Sequence, residues 1–140
     1  MTALVLDASA VAAWIMPSQA TTASESLLLR IGDYDLIAPD VFVWEVGNLF
    51  LRQSRRGLPL ADTLDVLGEL GIGYAEPSPP EIVLKLTEMA AAMRLSLFDT
   101  AYLSLAADLD APLASRDGGL IAAASRLEIQ CLDLREVQTP

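Results

Sequence analysis

Short apolar segments alternate along this chain with segments of helical periodicity, and this alternation restricts the fold more than any other feature. Strands are predicted at residues 3–7, 36–38, 72–75, 112–115 and 129–132. Helices are predicted at residues 9–16, 19–31, 41–56, 60–71, 80–94, 97–108 and 118–126. Strands separated by helices favour a parallel sheet that is covered by helices on both faces. The chain is therefore predicted to be an α/β protein whose sites lie at the carboxyl ends of its strands.

Composition narrows the class of protein further. A length of 140 residues, 53% of them apolar, favours a single domain over residues 1–140 with a substantial core. Asp7 and Pro17 interrupt the apolar stretches near the start, and no basic residue precedes them, so neither a membrane span nor a signal peptide is expected. The lone Cys131 cannot form an intrachain disulfide and is expected in the core of the last strand. These features together predict a cytoplasmic protein.

Histidine is absent, and this absence excludes several kinds of active site. Hydrolases built on Ser-His-Asp or Cys-His, and zinc sites built from histidine and cysteine, are excluded in their usual form. Any metal here has to be one that oxygen ligands hold, such as Mg²⁺ or Mn²⁺. The net charge of −10 argues against a broadly basic nucleic-acid surface, so RNA would be bound through a local patch or with the help of a basic partner.

Four carboxylates stand beside apolar or tight-turn neighbours, each in a different predicted element. They are Asp7, Glu45, Asp99 and Asp117. Two carboxylates about 4 Å apart repel by about 4 kcal/mol at an effective dielectric constant of about 20. Four carboxylates that converge therefore need a cation. One or two Mg²⁺ ions would also polarise a phosphate and help a water ionise. The pattern predicts phosphodiester hydrolysis, with Asp7, Glu45 and Asp99 as metal ligands and Asp117 as a weaker or water-mediated ligand.

Three of these carboxylates also have a simple structural role open to them. Asp7 can cap the helix that follows, although Ser9 is expected to be that cap and to leave Asp7 free. Asp99 stands at the third helical position after Ser96, which matches a capping box. Asp117 can cap the last helix. Capping and metal binding are compatible, because a helix N-terminus favours negative charge.

The predicted helix that carries Glu45 is apolar except for a narrow stripe. Val41, Glu45, Asn48 and Arg52 share this stripe by helical spacing. A stripe of this kind is typical of a solvated face, and also of a metal ligand with a supporting amide, Asn48, behind it.

Other polar side chains have two interpretations each. Arg52, Arg55 and Arg56 lie at the end of the Glu45 helix, where they either complement the helix dipole or contact RNA phosphates. Ser9 and Ser115 stand beside the first and last carboxylates, where each can hydrogen-bond a carboxylate or a metal-bound water, or cap a helix. Four aromatic residues are predicted to lie in the core: Trp14, Trp44, Phe98 and Tyr102.

The chain resembles a PIN-domain ribonuclease at these residues, and within that group it resembles the VapC toxins of VapBC toxin–antitoxin pairs. The segments that carry the resemblance are Val5-Leu6-Asp7-Ala8-Ser9-Ala10, Ala38-Pro39-Asp40-Val41 with Glu45-Val46-Gly47-Asn48, Leu97-Phe98-Asp99-Thr100-Ala101-Tyr102, and Ala114-Ser115-Arg116-Asp117-Gly118-Gly119-Leu120. Each segment is weak alone, but their order and spacing over nearly the whole chain are specific. Ser115 stands where threonine is common, and two glycines after Asp117 loosen the turn of the fourth carboxylate.

The resemblance implies a three-layer α/β/α sandwich with a parallel sheet of four or five strands. It implies an endoribonuclease dependent on Mg²⁺ or Mn²⁺, and a homodimer. It also implies inhibition by a small antitoxin with a DNA-binding domain, which often brings an arginine to the acidic cluster. Such a partner suits the charge of −10.

Two alternatives remain at this point. A phosphatase of the haloacid dehalogenase kind also begins with a strand and an aspartate, but it needs a second aspartate where this chain has Ser9, and a lysine near the site. A PIN-like scaffold without catalysis would only bind a partner. Metal binding that is lost on Asp99→Asn would separate an enzyme from such a scaffold.

Overall fold

The central feature of the fold is a parallel sheet of five strands, seen in a computed structural model that describes residues 1–57 and 59–136. The strands are β1 (Thr2–Leu6), β2 (Tyr34–Ala38), β3 (Gly73–Tyr74), β4 (Leu113–Ser115) and β5 (Cys131–Asp133). The helices are α1 (Ala8–Ile15), α2 (Thr22–Leu29), α3 (Val41–Arg55), α4 (Leu60–Glu69), α5 (Pro80–Met93), α6 (Leu97–Leu109) and α7 (Gly118–Arg126). The α/β architecture predicted from the alternation is confirmed.

The order of the strands in the sheet is β3-β2-β1-β4-β5. From β1 the chain first builds outward through β2 to β3, then returns to place β4 on the other side of β1. Right-handed crossovers in opposite directions put their helices on opposite faces of a sheet, which gives the three layers. Contacts among the helices agree, because α1 packs against α2, α3 and α4, whereas α5 packs against α6.

β1 is the centre of the core. It pairs with β2 and β4 at once, and Leu4, Val5 and Leu6 are fully buried. Phe42 from α3 and Leu103 from α6 are buried in the same cluster. A strand covered on both faces reads as an uninterrupted apolar run, which is why β1 was predictable.

The predicted helix at 19–31 is wrong in its extent. The structure has a 3₁₀ turn at Pro17–Gln19, then α2 at Thr22–Leu29, then a second 3₁₀ turn at Ile31–Asp33. Thr21 and Ser24 form a capping box, in which each side chain accepts the backbone N–H of the other. This reciprocal cap fixes the start of α2 after Thr21 and separates it from the preceding turn.

The four predicted core aromatics divide in the structure. Tyr102 is buried and Trp14 packs against the core, as predicted. Trp44 is 78% exposed, because its position on α3 is turned about 160° away from the buried Phe42. Phe98 is 50% exposed in the first turn of α6, where it lines an open cleft between α5 and α6. The core prediction is therefore wrong for Trp44 and Phe98.

Cys131 lies in the last strand, β5, as the sequence predicts, but it is only half-buried against the core. Its thiol is free. Burial and the neighbouring Asp133 raise the pKa of this thiol to about 11, so it is a poor nucleophile at neutral pH.

No helix in the described part of the chain has both the length and the apolar character that a membrane span requires.

Candidate active site

The candidate site lies where the strand order reverses, at the carboxyl ends of β1 and β4. Asp7 directly follows β1, and Asp117 stands two residues after the end of β4. These two strands are neighbours in the sheet, with Leu6 of β1 opposite Ala114 of β4. The crevice at such a reversal is where open α/β sheets bind their ligands.

Asp7 is 4% exposed, and both of its carboxylate oxygens accept hydrogen bonds. Oδ1 accepts from Ser9 Oγ at 2.7 Å and from the backbone N–H of Ala10 at 3.0 Å. Oδ2 accepts from Ser115 Oγ at 2.7 Å. Asp7 is thus the N-cap of α1. The expectation that Ser9 caps this helix is wrong, because Ser9 lies inside α1 and directs its hydroxyl to Asp7.

The two serines join the loop after β1 to the loop after β4. Ser9 Oγ accepts the backbone N–H of Arg116 at 2.8 Å, and Ser115 Oγ accepts that of Asp117 at 2.9 Å. The two hydroxyls are 3.3 Å apart. Of the roles open to them from sequence, these serines therefore hold a carboxylate, and they fix the two loops relative to each other.

Glu45 reaches the site from α3 and is half-buried. Its Oε1 accepts a hydrogen bond of 2.6 Å from the hydroxyl of Tyr102, which lies in α6. Asn48 and Arg52, which share the predicted polar stripe with Glu45, line one cleft of about 300 Å³ with it. Gln19 and Ser9 contribute to the same lining. The stripe therefore faces a cleft beside the acidic residues.

Asp99 and Asp117 both stand at helix N-termini. Ser96 caps α6 and accepts the backbone N–H of Asp99 at 3.0 Å, as the sequence predicted. Asp117 caps α7, because its Oδ1 accepts the N–H groups of Gly119 and Leu120 at 2.9 and 3.4 Å. Asp117 is exposed, whereas Asp99 is half-buried.

The carboxylates act on one another electrostatically. Burial is the largest cause of the raised pKa values of Asp7, which reaches about 6, and of Glu45 and Asp99. The charge of Asp117 raises the pKa of all three, and Asp99 also raises that of Glu45. Hydrogen bonds from serine and tyrosine hydroxyls lower the pKa values in part. The four carboxylates thus share one electrostatic environment, in which a cation would relieve repulsion.

The donor set fits a hard divalent cation in its chemistry. All four groups are carboxylates, and the raised pKa values of Asp7, Glu45 and Asp99 express the cost of keeping these three charged without a counter-ion. Within residues 1–57 and 59–136, however, no three acidic or cysteine side chains are close enough together to form a preassembled metal site. A cation would therefore either draw the carboxylates together or be held by some of them through water.

The basic cluster at the end of α3 is only partly directed to the site. Of the described residues, those that line the cleft include Arg52 but neither Arg55 nor Arg56. Arg116 was not singled out in the sequence. Its guanidinium donates to Gln19 Oε1 at 2.7 Å, and its buried Nε has no hydrogen-bond partner among the described residues.

Tyr102 is a second residue whose role at the site was missed in the sequence, where it was predicted only to lie in the core. A signal was available, because Tyr102 follows Asp99 by three positions and so shares its face of α6. Arg116 had a comparable signal, since it directly precedes Asp117 between the two loops that form the site.

Comparison with known proteins gives a family and a fold. A family model described as "PIN domain" matches residues 4–126. A search of curated proteins finds no significant match. This family match decides against a haloacid-dehalogenase-like phosphatase.

Several solved structures are similar to this chain. The crystal structure of PAE2754 from Pyrobaculum aerophilum aligns with a TM-score of 0.66 at 21% identity, over 86% of this chain and 85% of that one. A domain of a functionally unknown protein from Methanocaldococcus jannaschii aligns with a TM-score of 0.59 at 16% identity, over 100% and 96% of the two chains. FitAcB from Neisseria gonorrhoeae aligns with a TM-score of 0.57 at 17% identity, over 91% and 95%. At these identities the likeness shows the fold.

Proposed function

Because the chain belongs to the PIN domain family, whose members are generally metal-dependent nucleases, we propose that it is an endoribonuclease that uses Mg²⁺ or Mn²⁺. The observation that carries the proposal is the mutual effect of four carboxylates at the reversal of strand order, three of which have raised pKa values. A structural role alone does not explain why four acidic groups from four elements lie close enough for their charges to act on one another.

Asp7, Glu45 and Asp99 are the proposed metal ligands, with Asp117 as a weaker or water-mediated one. A divalent ion held by these residues would supply positive charge that polarises the phosphodiester and lowers the pKa of the attacking water, so that this water ionises more readily. Ser9 and Ser115 hold Asp7 in place through its two oxygens. The chain has no histidine, so carboxylates are the only side chains at the site able to accept a proton near neutral pH.

The cleft beside the carboxylates is the proposed path of the RNA backbone. Arg52 carries a positive charge there, and Asn48 and Gln19 carry amides, all groups that contact phosphates. Arg55 and Arg56 are exposed at the end of the same helix, as its last residue and its C-cap, where they would contact more distant phosphates. A local basic patch of this kind reconciles RNA binding with a net charge of −10.

We also propose that the protein is the toxin of a toxin–antitoxin pair, that it forms a homodimer, and that it works in the cytoplasm. Residues 1–140 would form a single PIN-like domain. The antitoxin would carry a DNA-binding domain. Support comes from an exposed apolar surface on α3 and α4, here called the α3–α4 surface, which borders a cavity of about 380 Å³. Its exposed apolar residues are Val43, Trp44, Leu51, Leu60 and Leu64. Of these residues, Leu51, Leu60 and Leu64 line the cavity. Exposed apolar patches are typical of protein interfaces.

Cleavage-site mapping on total RNA tests the proposed activity. The protein, purified free of any partner, would be incubated with Mg²⁺, with the metal chelated, and as Asp99→Asn. Asp35→Asn, which neutralises an exposed aspartate in β2, is the matched control. We expect new 5′ ends that require both the metal and Asp99 and that persist in Asp35→Asn.

Two results would contradict the nuclease. Ends that persist in Asp99→Asn would come from a contaminating enzyme. A folded protein that binds Mn²⁺ but yields no new ends on any cellular RNA would favour the scaffold, in which the site only binds a partner.

A further inference from the structure

Tyr102 combines a buried ring with a hydroxyl that contacts a proposed metal ligand. The residue is 1% exposed, and its O–H donates to Glu45 Oε1 at 2.6 Å. A phenylalanine would fill the same space in the core. The hydroxyl is therefore the part of this side chain whose presence packing does not explain, and buried tyrosine hydroxyls need a polar partner.

The contact joins two helices that both bring a carboxylate to the site. α3 carries Glu45, and α6 carries Asp99 as well as Tyr102 three residues later, on the same face of the helix. α3 begins at the carboxyl edge of the sheet because it follows β2. α6 begins at the same edge because it runs back to the amino end of β4, the strand that it precedes. α6 thus supplies the proposed ligand Asp99 and also Tyr102, whose hydroxyl holds Glu45, the proposed ligand on α3.

Glu45 is the carboxylate that most needs such a contact. Its side chain has one more rotatable bond than an aspartate, so more conformational freedom must be lost before it can bind an ion. Asp7 is held by two hydroxyls, from Ser9 and Ser115, and it is also fixed as a helix cap. Hydrogen bonds of this kind to ligating carboxylates orient them and commonly affect metal affinity.

We propose that Tyr102 is a positioning residue for the metal site: its hydroxyl holds one oxygen of Glu45 so that the carboxylate is oriented to bind the divalent ion. This inference rests on the proposed function. The opposing explanation is that Glu45 merely satisfies a buried tyrosine. In that case loss of the hydroxyl changes stability and leaves metal affinity unaltered.

Mn²⁺ binding, followed by the electron paramagnetic resonance of the free ion, separates the two without any RNA. The proteins are wild type, Tyr102→Phe, Glu45→Gln and the double variant, with Tyr34→Phe of β2 as the matched control. We expect Tyr102→Phe to weaken Mn²⁺ binding by about tenfold or more and Tyr34→Phe to leave it unchanged. Since Tyr102 acts through Glu45, the double variant should bind no more weakly than Glu45→Gln alone.

Three results would overturn the inference, and they differ from those that would overturn the proposed function. A folded Tyr102→Phe that binds Mn²⁺ like wild type contradicts it, as does a double variant whose losses add. Should Tyr102→Phe not fold, Glu45→Asp withdraws the carboxylate from the phenol instead, and undiminished affinity in that variant is equally contrary. Wild-type protein that binds no Mn²⁺ at millimolar concentration overturns the metal site itself.

Discussion

Ser115 donates a hydrogen bond of 2.7 Å to Oδ2 of Asp7, although the two residues are 108 positions apart in the chain. The bond joins the end of β4 to the end of β1, the two strands at which the sheet order reverses. The same serine accepts the N–H of Asp117 at 2.9 Å. One hydroxyl therefore positions two of the four carboxylates.

Replacing Ser115 by alanine should weaken both the fold and the metal site. The change leaves the buried Asp7 with one donor fewer and the N–H of Asp117 without its acceptor, so we expect a loss of about 1–3 kcal/mol in the free energy of unfolding. Mn²⁺ affinity should fall by about tenfold. Urea denaturation and Mn²⁺ titration measure these effects. Ser125→Ala, at an exposed position of α7, is the control and should be neutral; equal behaviour of the two variants would contradict the role of the hydroxyl.

Without metal, the protein should become less stable as the pH rises from about 4 to about 7. Burial raises the pKa of Asp7 from 3.8 to about 6. Between these values the folded state binds more protons than the unfolded state, so stability is present below the lower pKa and is lost as the pH passes the upper one. A shift of about two units corresponds to about 3 kcal/mol.

Asp7→Asn tests the origin of that slope. Asparagine cannot ionise, so in the presence of a chelator the melting temperature of the variant should depend less on pH, up to pH 7.5, than that of wild type. Because its amide nitrogen cannot accept the hydrogen bond from Ser115, this slope is compared and not the absolute stability. Mg²⁺ should stabilise wild type at that pH and have little effect on the variant. A slope that is as steep in Asp7→Asn as in wild type would assign the effect to other groups.

Asp117→Asn should reduce metal affinity less than Asp99→Asn. Asp117 is exposed and already bonded as a helix cap, a role that asparagine performs equally well. Removal of a direct ligand should cost at least as much as removal of a supporting group, on the order of 100-fold for Asp99. Isothermal titration with Mn²⁺ gives the ranking directly. The reverse order would make Asp117 the primary ligand.

Arg52→Gln should weaken RNA binding more than Arg55→Gln. Arg52 lines the cleft beside Glu45, whereas Arg55 is exposed further along α3. RNA binding would be measured at several salt concentrations in the Asp99→Asn background, which is expected to be catalytically inactive. When a phosphate contact is removed, the slope of log affinity against log salt should fall by about one unit. An unaltered slope in the Arg52 variant would place the RNA backbone elsewhere.

Leu51→Glu should alter association without altering the fold. Leu51 is 50% exposed on the α3–α4 surface, so its replacement should change the free energy of unfolding by no more than about 0.5 kcal/mol. If this surface binds a second copy or an antitoxin, a charge at the cavity that Leu51 lines weakens that complex. Sedimentation velocity reports the oligomer. A variant that is as dimeric as wild type, and is equally well bound by a co-expressed antitoxin, would exclude this surface as an interface.

The sequence predicted those features that local patterns determine. β1 was identified by its apolar run, and the caps at Ser96 and Asp117 were identified by residue type and spacing. Asp7 and Ser9 are both good helix caps and stand two positions apart, and the cap of α1 was assigned to Ser9 from the sequence. Only the first residue of the helix decides between the two, and the structure places that residue at Ala8.

Other features depend on contacts between distant parts of the chain. The partner of the Tyr102 hydroxyl lies 57 residues away, so no local pattern indicates it. The exposure of Trp44 reflects a helix that is covered on one side only, whereas residue type alone favoured burial. That Asp7 and Asp117 lie at the same edge of the sheet was inferred from strand ends. Which of the four carboxylates are buried, capped or hydrogen-bonded depends on the packing of whole elements.

The placement of β4 beside β1 also determines when the site can exist during synthesis. Ser9 and Ala10, which hold one oxygen of Asp7, directly follow it in the chain, but Ser115, which holds the other oxygen, is made 108 residues after Asp7. A growing chain thus carries Asp7, Glu45 and Asp99 before it contains Ser115, the second of the two serines that hold Asp7. A cell that makes this protein therefore has an interval, set by translation, in which the chain is present but its acidic centre is still incomplete.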